Sequence, residues 1–589
     1  MTRPSDEAPW RAAPVDIARA DRVEVTLDGR PLTARRGETV AAVLAAHGIT
    51  TFRSTGFDSP RGLFCGMGVC HDCLVEVDGR ANQRACMTKI EAPVAIRRQR
   101  IDLPLGEPGG ADGAGGALTA DIAVIGGGAA GLTAACVAAE AGASVMVIDE
   151  RPTPGGQYFK QPTKVLDPPE PGRDDRQFAG GRSLLDRARR AGVRHLAGTV
   201  WTAEGPGLLR VLAGQSETTV TARRVIVATG AYERGLPVPG WTLPGVVTTG
   251  AAQTLLRSYR VLAGRRVLVA GNGPLNLQVA LELAGAGADV VAVVEAAPKP
   301  GPWALGPIMR MTASAPDLAI QGAGYVRRLE RLGIPMLHDH LVERIDETPG
   351  GLTVSLRQTG GERVVSVHKA ETVALGYGFQ PANDLLRLFG CRHAFDAGRR
   401  QLATVRDADC RTSDETVFAA GDCTGLGGAF AAISEGTIAG AAAARDLGHA
   451  GSKAAGQGLA RARKDLRRHR RFQQALWALY AADLPEAPSA PETVVCRCEE
   501  VTLGEIDAAL AGGDHGIGSL KRATRLGMGR CQGRYCAPVA ADILASRTGT
   551  PVEELSFFAP RGPLKPVPIG AIASAAADPE PQPEPEGTP

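Results

Sequence analysis

DIAVIGGGAAGLTAACVAAEAGASVMVIDE, residues 121–150, decides the fold. Val124-Ile125 ends a buried strand, and Gly126-x-Gly128-x-x-Gly131 opens an alanine-rich helix. Val145–Ile148 is the next strand, closed by Asp149. This is the strand–turn–helix–strand context that a dinucleotide fingerprint needs. The first glycine makes the turn, the second admits a pyrophosphate to the helix N-terminus, and the third packs helix on strand. Asp149 is placed to take a ribose hydroxyl, with Glu150 as the fallback.

The same texture recurs at 266–295, an internal duplication of one supersecondary unit. The second copy reads Gly271-Asn272-Gly273-Pro274-Leu275-Asn276, with Asn276 in place of the third glycine. Its second strand ends in Glu295, a carboxylate suited to the free 2′-OH of NAD and hostile to a 2′-phosphate. NAD binding and a retained but empty fold both stay open for this unit. No CxxC lies between 240 and 375, which disfavours a disulfide reductase.

Cysteine spacing supplies the second signal. Of 12 cysteines, eight fall into two tight sets. In a chain whose N-terminus shows no apolar export signal, that favours metal ligation over disulfides. Cys65-x4-Cys70-x2-Cys73, then Cys86, has plant-type [2Fe–2S] spacing on a glycine-rich loop. Cys496-x-Cys498 and Cys531-x4-Cys536 form the second set. Structural zinc is the alternative at either set. Cys136, Cys391, Cys410 and Cys423 are scattered, and His71 reads as a loop residue.

Composition bounds the rest. At 589 residues the chain exceeds a single core. A net charge of +3 and 4% aromatics give no reason to expect nucleic acid, and the basic run 459–473 reads as a solvated or packing helix. No apolar run is long enough to span a membrane, so a cytoplasmic protein is expected. The expected organisation is a disordered arm (1–22), a ferredoxin-like domain (23–103) and a linker (104–118). A first dinucleotide domain (119–244 and 373–450) encloses a second (245–372). A helical linker (451–490), a small cysteine domain (491–556) and a Pro-rich tail (557–589) follow.

Further stretches carry a family resemblance. Val225–Gly230 (VIVATG) resembles the ATG strand of two-dinucleotide flavoproteins, and Thr416–Asp422 (TVFAAGD) resembles their second FAD motif. With Gly155-Gly156 and Gly230, these imply FAD in the first unit, Asp422 bonding the ribityl chain. VIDERPTPGGQ (147–157), LKRATRLGMGRCQGRYC (520–536) and RGPLKPVPIGAIA (561–573) resemble the α subunits of heteromeric amine dehydrogenases. That group includes hydrogen cyanide synthase, opine oxidases and hydroxyproline dehydrogenases, and more distantly sarcosine oxidase α. Residues 23–103 resemble the family's small ferredoxin-like subunit, so the chain reads as a fusion.

The implied fold is α/β: a two-dinucleotide-domain flavoprotein core between an N-terminal β-grasp ferredoxin-like domain and a small helical bacterioferritin-associated-ferredoxin-like domain. The implied cofactors are FAD and two [2Fe–2S] clusters. NAD in the second unit is open, and an interface FMN, implied by some relatives, falls on no particular residues. The implied partners are a D-amino-acid-oxidase-like flavoprotein that oxidises the substrate and a downstream electron acceptor. No residue set looks like an amine-oxidising site. The other reading is a self-contained NADH-dependent reductase of a protein partner.

Overall fold

The computed structural model describes residues 8–12, 21–99, 116–162, 176–214, 216–361, 363–449, 451, 453–513 and 515–576. The N-terminal domain is a five-stranded mixed sheet in the order 30–35, 22–27, 94–98, 74–77, 80–84. It grips the helix Val40–Ala46, all seven residues of which are buried. Thr39 caps that helix by accepting from the Ala42 amide, satisfying one of the orphan donors of its first turn.

The first dinucleotide unit has a parallel centre. Strand 117–125 lies between 145–149 and 216–227, and 417–419 pairs on 216–227. The second unit repeats the design with five parallel strands, ordered 246–248, 372–376, 266–271, 289–295, 336–338. A three-stranded meander, 340–370, completes it. The C-terminal domain sets a short hairpin, 494–502, against the helices 503–511, 517–524 and 536–548.

Four expected boundaries differ. In the arm, residues 8–12 are packed: Trp10 is buried and exchanges backbone bonds with Ala46 and Leu262, and Arg11 pairs with Glu38. Strand structure begins at Ala117, inside the expected linker. Strand Thr372–Gly376 belongs to the second sheet, so that unit ends after 372. The Pro-rich tail is anchored by its apolar residues: Phe557, Phe558 and Leu564 are buried. The rest of the expected arm and linker, and the expected disorder beyond residue 576, lie outside the described residues.

The basic helix Lys453–Leu479 directs arginines at acidic partners in the same chain. Arg463 pairs with Asp409, Arg468 with Asp317 and Arg470 with Glu435. None of the described helices is long and apolar enough to cross a membrane.

The helix after the first fingerprint, Ala129–Glu140, crosses Ala429–Asp446 at backbone contact. A Cβ on Gly440 would lie 2.4 Å from the Ala134 carbonyl oxygen, and one on Gly436 2.2 Å from that of Ala130. Gly440→Val should therefore destabilise the first unit by about 2–3 kcal/mol, the cost of overpacking a closed interface. Gly456→Ala, where a Cβ meets open space, should not. Thermal melting compares the two variants, and equal melting would show that the helices do not meet.

Candidate functional site

Eight of the predicted residues line one cavity of about 430 Å³: Cys65, Gly126, Gly128, Asp149, Glu150, Gly156, Gly230 and Asp422. Their placement follows from close approaches that only glycine permits. Gly126 has φ +103°, and a Cβ there would sit 2.3 Å from the Ala228 carbonyl oxygen. Gly131 stands behind the cavity wall, where a Cβ would lie 1.8 Å from the Gly126 oxygen. Gly128 caps the helix Ala129–Glu140 with no side chain over its amides, leaving the positive end of the helix dipole open to the cavity.

Two carboxylates flank the end of strand 145–149. Asp149 accepts from the Gly127 amide at 2.6 Å and the Arg151 amide at 2.8 Å. Glu150 pairs with Lys565 and lies 3.6 Å from Arg84. On the opposite wall, Asp422 accepts from the amides of Gly427 and Gly428, both at 2.9 Å, and burial pushes its carboxyl up.

The cavity also contains charges that sequence reasoning missed. Lys160 donates to Gln253 at 2.9 Å, and burial pushes it down to about 7. Glu233 accepts from the Gly250 amide at 2.9 and 3.0 Å, and burial pushes it up to about 7. A lysine in the aromatic run after Gly155-Gly156 was the available signal for the first. Glu233 had none, because its burial depends on a helix that follows it in sequence.

The second fingerprint folds as predicted, and its polar residues bond within the chain. Asn276 donates to the Gly376 carbonyl at 3.0 Å and accepts from Thr249, replacing the missing glycine with a buried bridge. Glu295, 1% exposed, accepts from the Gly273 amide at 3.0 Å, the Asn272 side chain at 2.9 Å and the Ala297 amide at 2.9 Å. Asn272 also donates to the Tyr480 carbonyl, which belongs to the segment after the basic helix. The amide that a pyrophosphate would use is thus engaged by Glu295.

Both cysteine sets assemble from their loops. Gly66 and Gly68 take positive φ to wrap the first, and a Cβ on Gly66 would strike Ala251 at 2.9 Å. The thiols of Cys65 and Cys70 hydrogen-bond each other, as do those of Cys73 and Cys86, and all four are free of disulfides. Burial pushes Cys65 up, but the Cys70 thiol and the amides of Met67, Cys70 and Val69 outweigh it and bring it to about 6. In the second set Cys498 lies 3.9 Å from Cys496 and 3.7 Å from Cys531, and Cys496 also meets Cys536. Those thiol contacts bring Cys496 down to about 3. Seven of the eight are buried, and Cys498 is half-buried. No group of three or more His, Cys, Asp or Glu side chains among the described residues converges as ligands of one metal ion would. The other four cysteines are buried and lie outside both sets. Burial holds His71 down, at about 3.

The core fold, with its glycine-lined cavity, defines a flavoprotein oxidoreductase of the two-dinucleotide class. The family model for pyridine nucleotide-disulphide oxidoreductases matches residues 120–448. A 2Fe-2S iron-sulfur cluster binding domain matches 20–100, and the sarcosine oxidase A3 domain matches 490–576. An opine oxidase subunit of Agrobacterium tumefaciens is 33% identical over 77% of this chain and 91% of its own. Hydrogen cyanide synthase subunit HcnB of Pseudomonas protegens is 32% identical over 76% and 96%. L-proline dehydrogenase from P. horikoshii shares the fold, with a TM-score of 0.69 and 20% identity over 96% of this chain and 99% of that one. The chain therefore belongs to the flavin and iron–sulfur oxidoreductase family of these opine oxidase subunits, HcnB and sarcosine oxidase α, with a ferredoxin-like domain joined to its N-terminus.

Glu295 yields a pH test. Its carboxyl holds its proton to about 7, against 4.5 in an unfolded chain. Stability from that proton is complete below pH 4.5 and is lost as pH rises through about 7. Relative to Glu295→Gln, the native chain should weaken by on the order of 3 kcal/mol across that window. Urea midpoints against pH measure it, and a constant gap would show the carboxylate ionised throughout.

Proposed function

We propose that this chain is the electron-transferring subunit of a heteromeric amino-acid or opine dehydrogenase, taking electrons from a D-amino-acid-oxidase-like flavoprotein. One observation carries the reading: Cys65, Met67 and Val69 of the first cysteine loop line the same cavity as Gly126, Gly128 and Asp422. FAD fits that cavity. The Gly128 turn would hold its pyrophosphate, Asp149 its ribose and Asp422 its ribityl chain. Cys65, Cys70, Cys73 and Cys86 would hold one [2Fe–2S] cluster and Cys496, Cys498, Cys531 and Cys536 a second, since each set gathers four thiols on one loop system. Bound there, flavin and clusters together supply conversion between two-electron and one-electron chemistry.

The chain's residues do the rest. Backbone amides stabilise thiolates, Lys160 and Glu233 are positioned to hold protons at Nζ and at a carboxylate oxygen, and apolar packing excludes water. In the second unit Asn276 replaces the third glycine and Asn272 is held by Glu295 and the Tyr480 carbonyl, which favours the reading without an NADH-driven reductase. An interface FMN stays outside the proposal. Residues 296–372 complete the second unit and leave no separate substrate domain. Both named relatives are subunits, which supports a partner for this chain. A cytoplasmic location belongs to the proposal, since unpaired thiols need a reducing compartment.

Gly128→Val tests the flavin site. The added Cβ lies 3.8 Å from its nearest neighbour, the Gly156 Cα, so the fold tolerates it while the pyrophosphate position is filled. Bound FAD should fall at least about tenfold, and full occupancy would refute the assignment. The purified chain should carry about four irons and four acid-labile sulfides, with two EPR signals on reduction. Zinc at either set would remove that cluster from the proposal. Alone, the chain should oxidise no amino or imino acid with any dye, and NADH should not bleach its flavin. Co-expression with an amine-oxidase-like flavoprotein should give a stable complex with dye-linked dehydrogenase activity. Turnover by the lone chain would overturn the subunit reading.

A further inference from the structure

The two cysteine sets come from domains at opposite ends of the chain, yet residues adjacent to their ligands touch. Arg497, between Cys496 and Cys498, donates through Nε to Asp72 at 2.7 Å, and Asp72 lies between Cys70 and Cys73. The same guanidinium lies 3.7 Å from the ring centre of Phe64, beside Cys65, and 4.7 Å from that of Trp241. It also donates to the Trp241 carbonyl at 2.6 Å. Asp72 is fully buried and Arg497 is 5% exposed.

A second contact runs alongside. Tyr535, beside Cys536, meets Phe64 edge-on with ring centres 5.4 Å apart. Its hydroxyl is buried and has no hydrogen-bond partner among the described residues. Its ring also lies 5.7 Å from that of Tyr232, so this second-set tyrosine is packed among aromatic rings on the side of the first set. An orphaned hydroxyl there matches a sulfur acceptor that a cluster would supply.

The ends of the path differ in exposure. Cys65 lines the flavin cavity. Cys498 alone among the eight is half-buried, flanked by Gly529 and beside the exposed Met528.

Resting on the two-cluster reading, we propose that the sets form one ordered relay: cavity, first set, second set, then exit at Cys498. The Arg497–Asp72 pair and the Phe64–Tyr535 contact are the bridge between the sets. In the step between sets one electron passes, a ferrous iron of the first becoming ferric as a ferric iron of the second becomes ferrous. No bond forms or breaks, and no proton moves. The electron originates in flavin reduced by the partner or, in a test, photochemically by a tertiary amine. It leaves to a one-electron carrier at the Cys498 surface.

The test uses the full chain with flavin and clusters bound. Iron and sulfide content and two EPR signals are measured first; their failure counts against the two-cluster reading alone. With both clusters present, the two reduced signals should show mutual relaxation enhancement. After flash reduction of the flavin, the second cluster should become reduced only after the first. Cys70→Ser, which removes the first cluster, should cut flavin-driven reduction of the second at least tenfold. Trp241→Leu and Tyr535→Phe lie outside the ligands. Each should slow the inter-cluster step several-fold with iron content unchanged, and Tyr535→Phe should also shift the first cluster's EPR spectrum. Arg497→Lys should retain more of the rate than Arg497→Gln. Magnetically isolated clusters, or a second cluster reduced at the native rate without the first, would overturn the relay. So would bridge variants with native inter-cluster rates.

Discussion

A single buried guanidinium ties the architecture together. Arg497 belongs to the C-terminal domain, Asp72 and Phe64 to the N-terminal domain, and Trp241 to the connection into the second dinucleotide unit. Removing one member of a buried ion pair costs roughly 3–5 kcal/mol, because the other charge is left in a low dielectric. Contact of the cation with two aromatic rings that meet edge to face contributes about 2 kcal/mol more when water is excluded. Beside it, Arg61 of the N-terminal domain pairs with Glu500, which also accepts from Thr55. The relative placement of both cysteine loops and of the cavity wall at Cys65 depends on this junction.

The fingerprints were legible because their chemistry is local. Gly126, Gly128 and Gly131 answer to one turn, and Cys65, Cys70 and Cys73 to one loop, so spacing alone exposes them. Resemblance then added the distant cavity walls at Gly230 and Asp422. The junction was not legible: Arg497 and Asp72 are 425 residues apart, and nothing in a C-x-C pair announces what its middle residue touches. The seating of the tail was not legible for a related reason: Phe558 fits over Gly527 and Gly533 of the second cysteine loop, and only the folded loop makes that seat.

The duplicated unit shows how one fold serves two ends. In the first copy the helix N-terminus faces an open cavity, with its carboxylate turned to the turn amides. In the second, Asn276 bridges to the Gly376 carbonyl, Glu295 accepts from the Gly273 amide, and Asn272 ties the turn to the Tyr480 carbonyl. Asn276 marks the departure in the sequence. Its consequence, a rigid platform whose helix Thr249–Tyr259 supports the first cysteine loop at Ala251, needs the tertiary structure.

The separation of Asp72 from Arg497 also sets a timetable for biosynthesis. At 5–20 residues per second, the ribosome takes roughly 20–90 s to make the intervening chain. Throughout that interval the nascent N-terminal domain lacks Arg497 and Glu500, the C-terminal partners of Asp72 and Arg61. The later-translated of the two cysteine domains locks the earlier one in place. Joining both cysteine domains in one polypeptide fixes their ratio at one to one and makes the closure intramolecular, so it does not depend on subunit concentration.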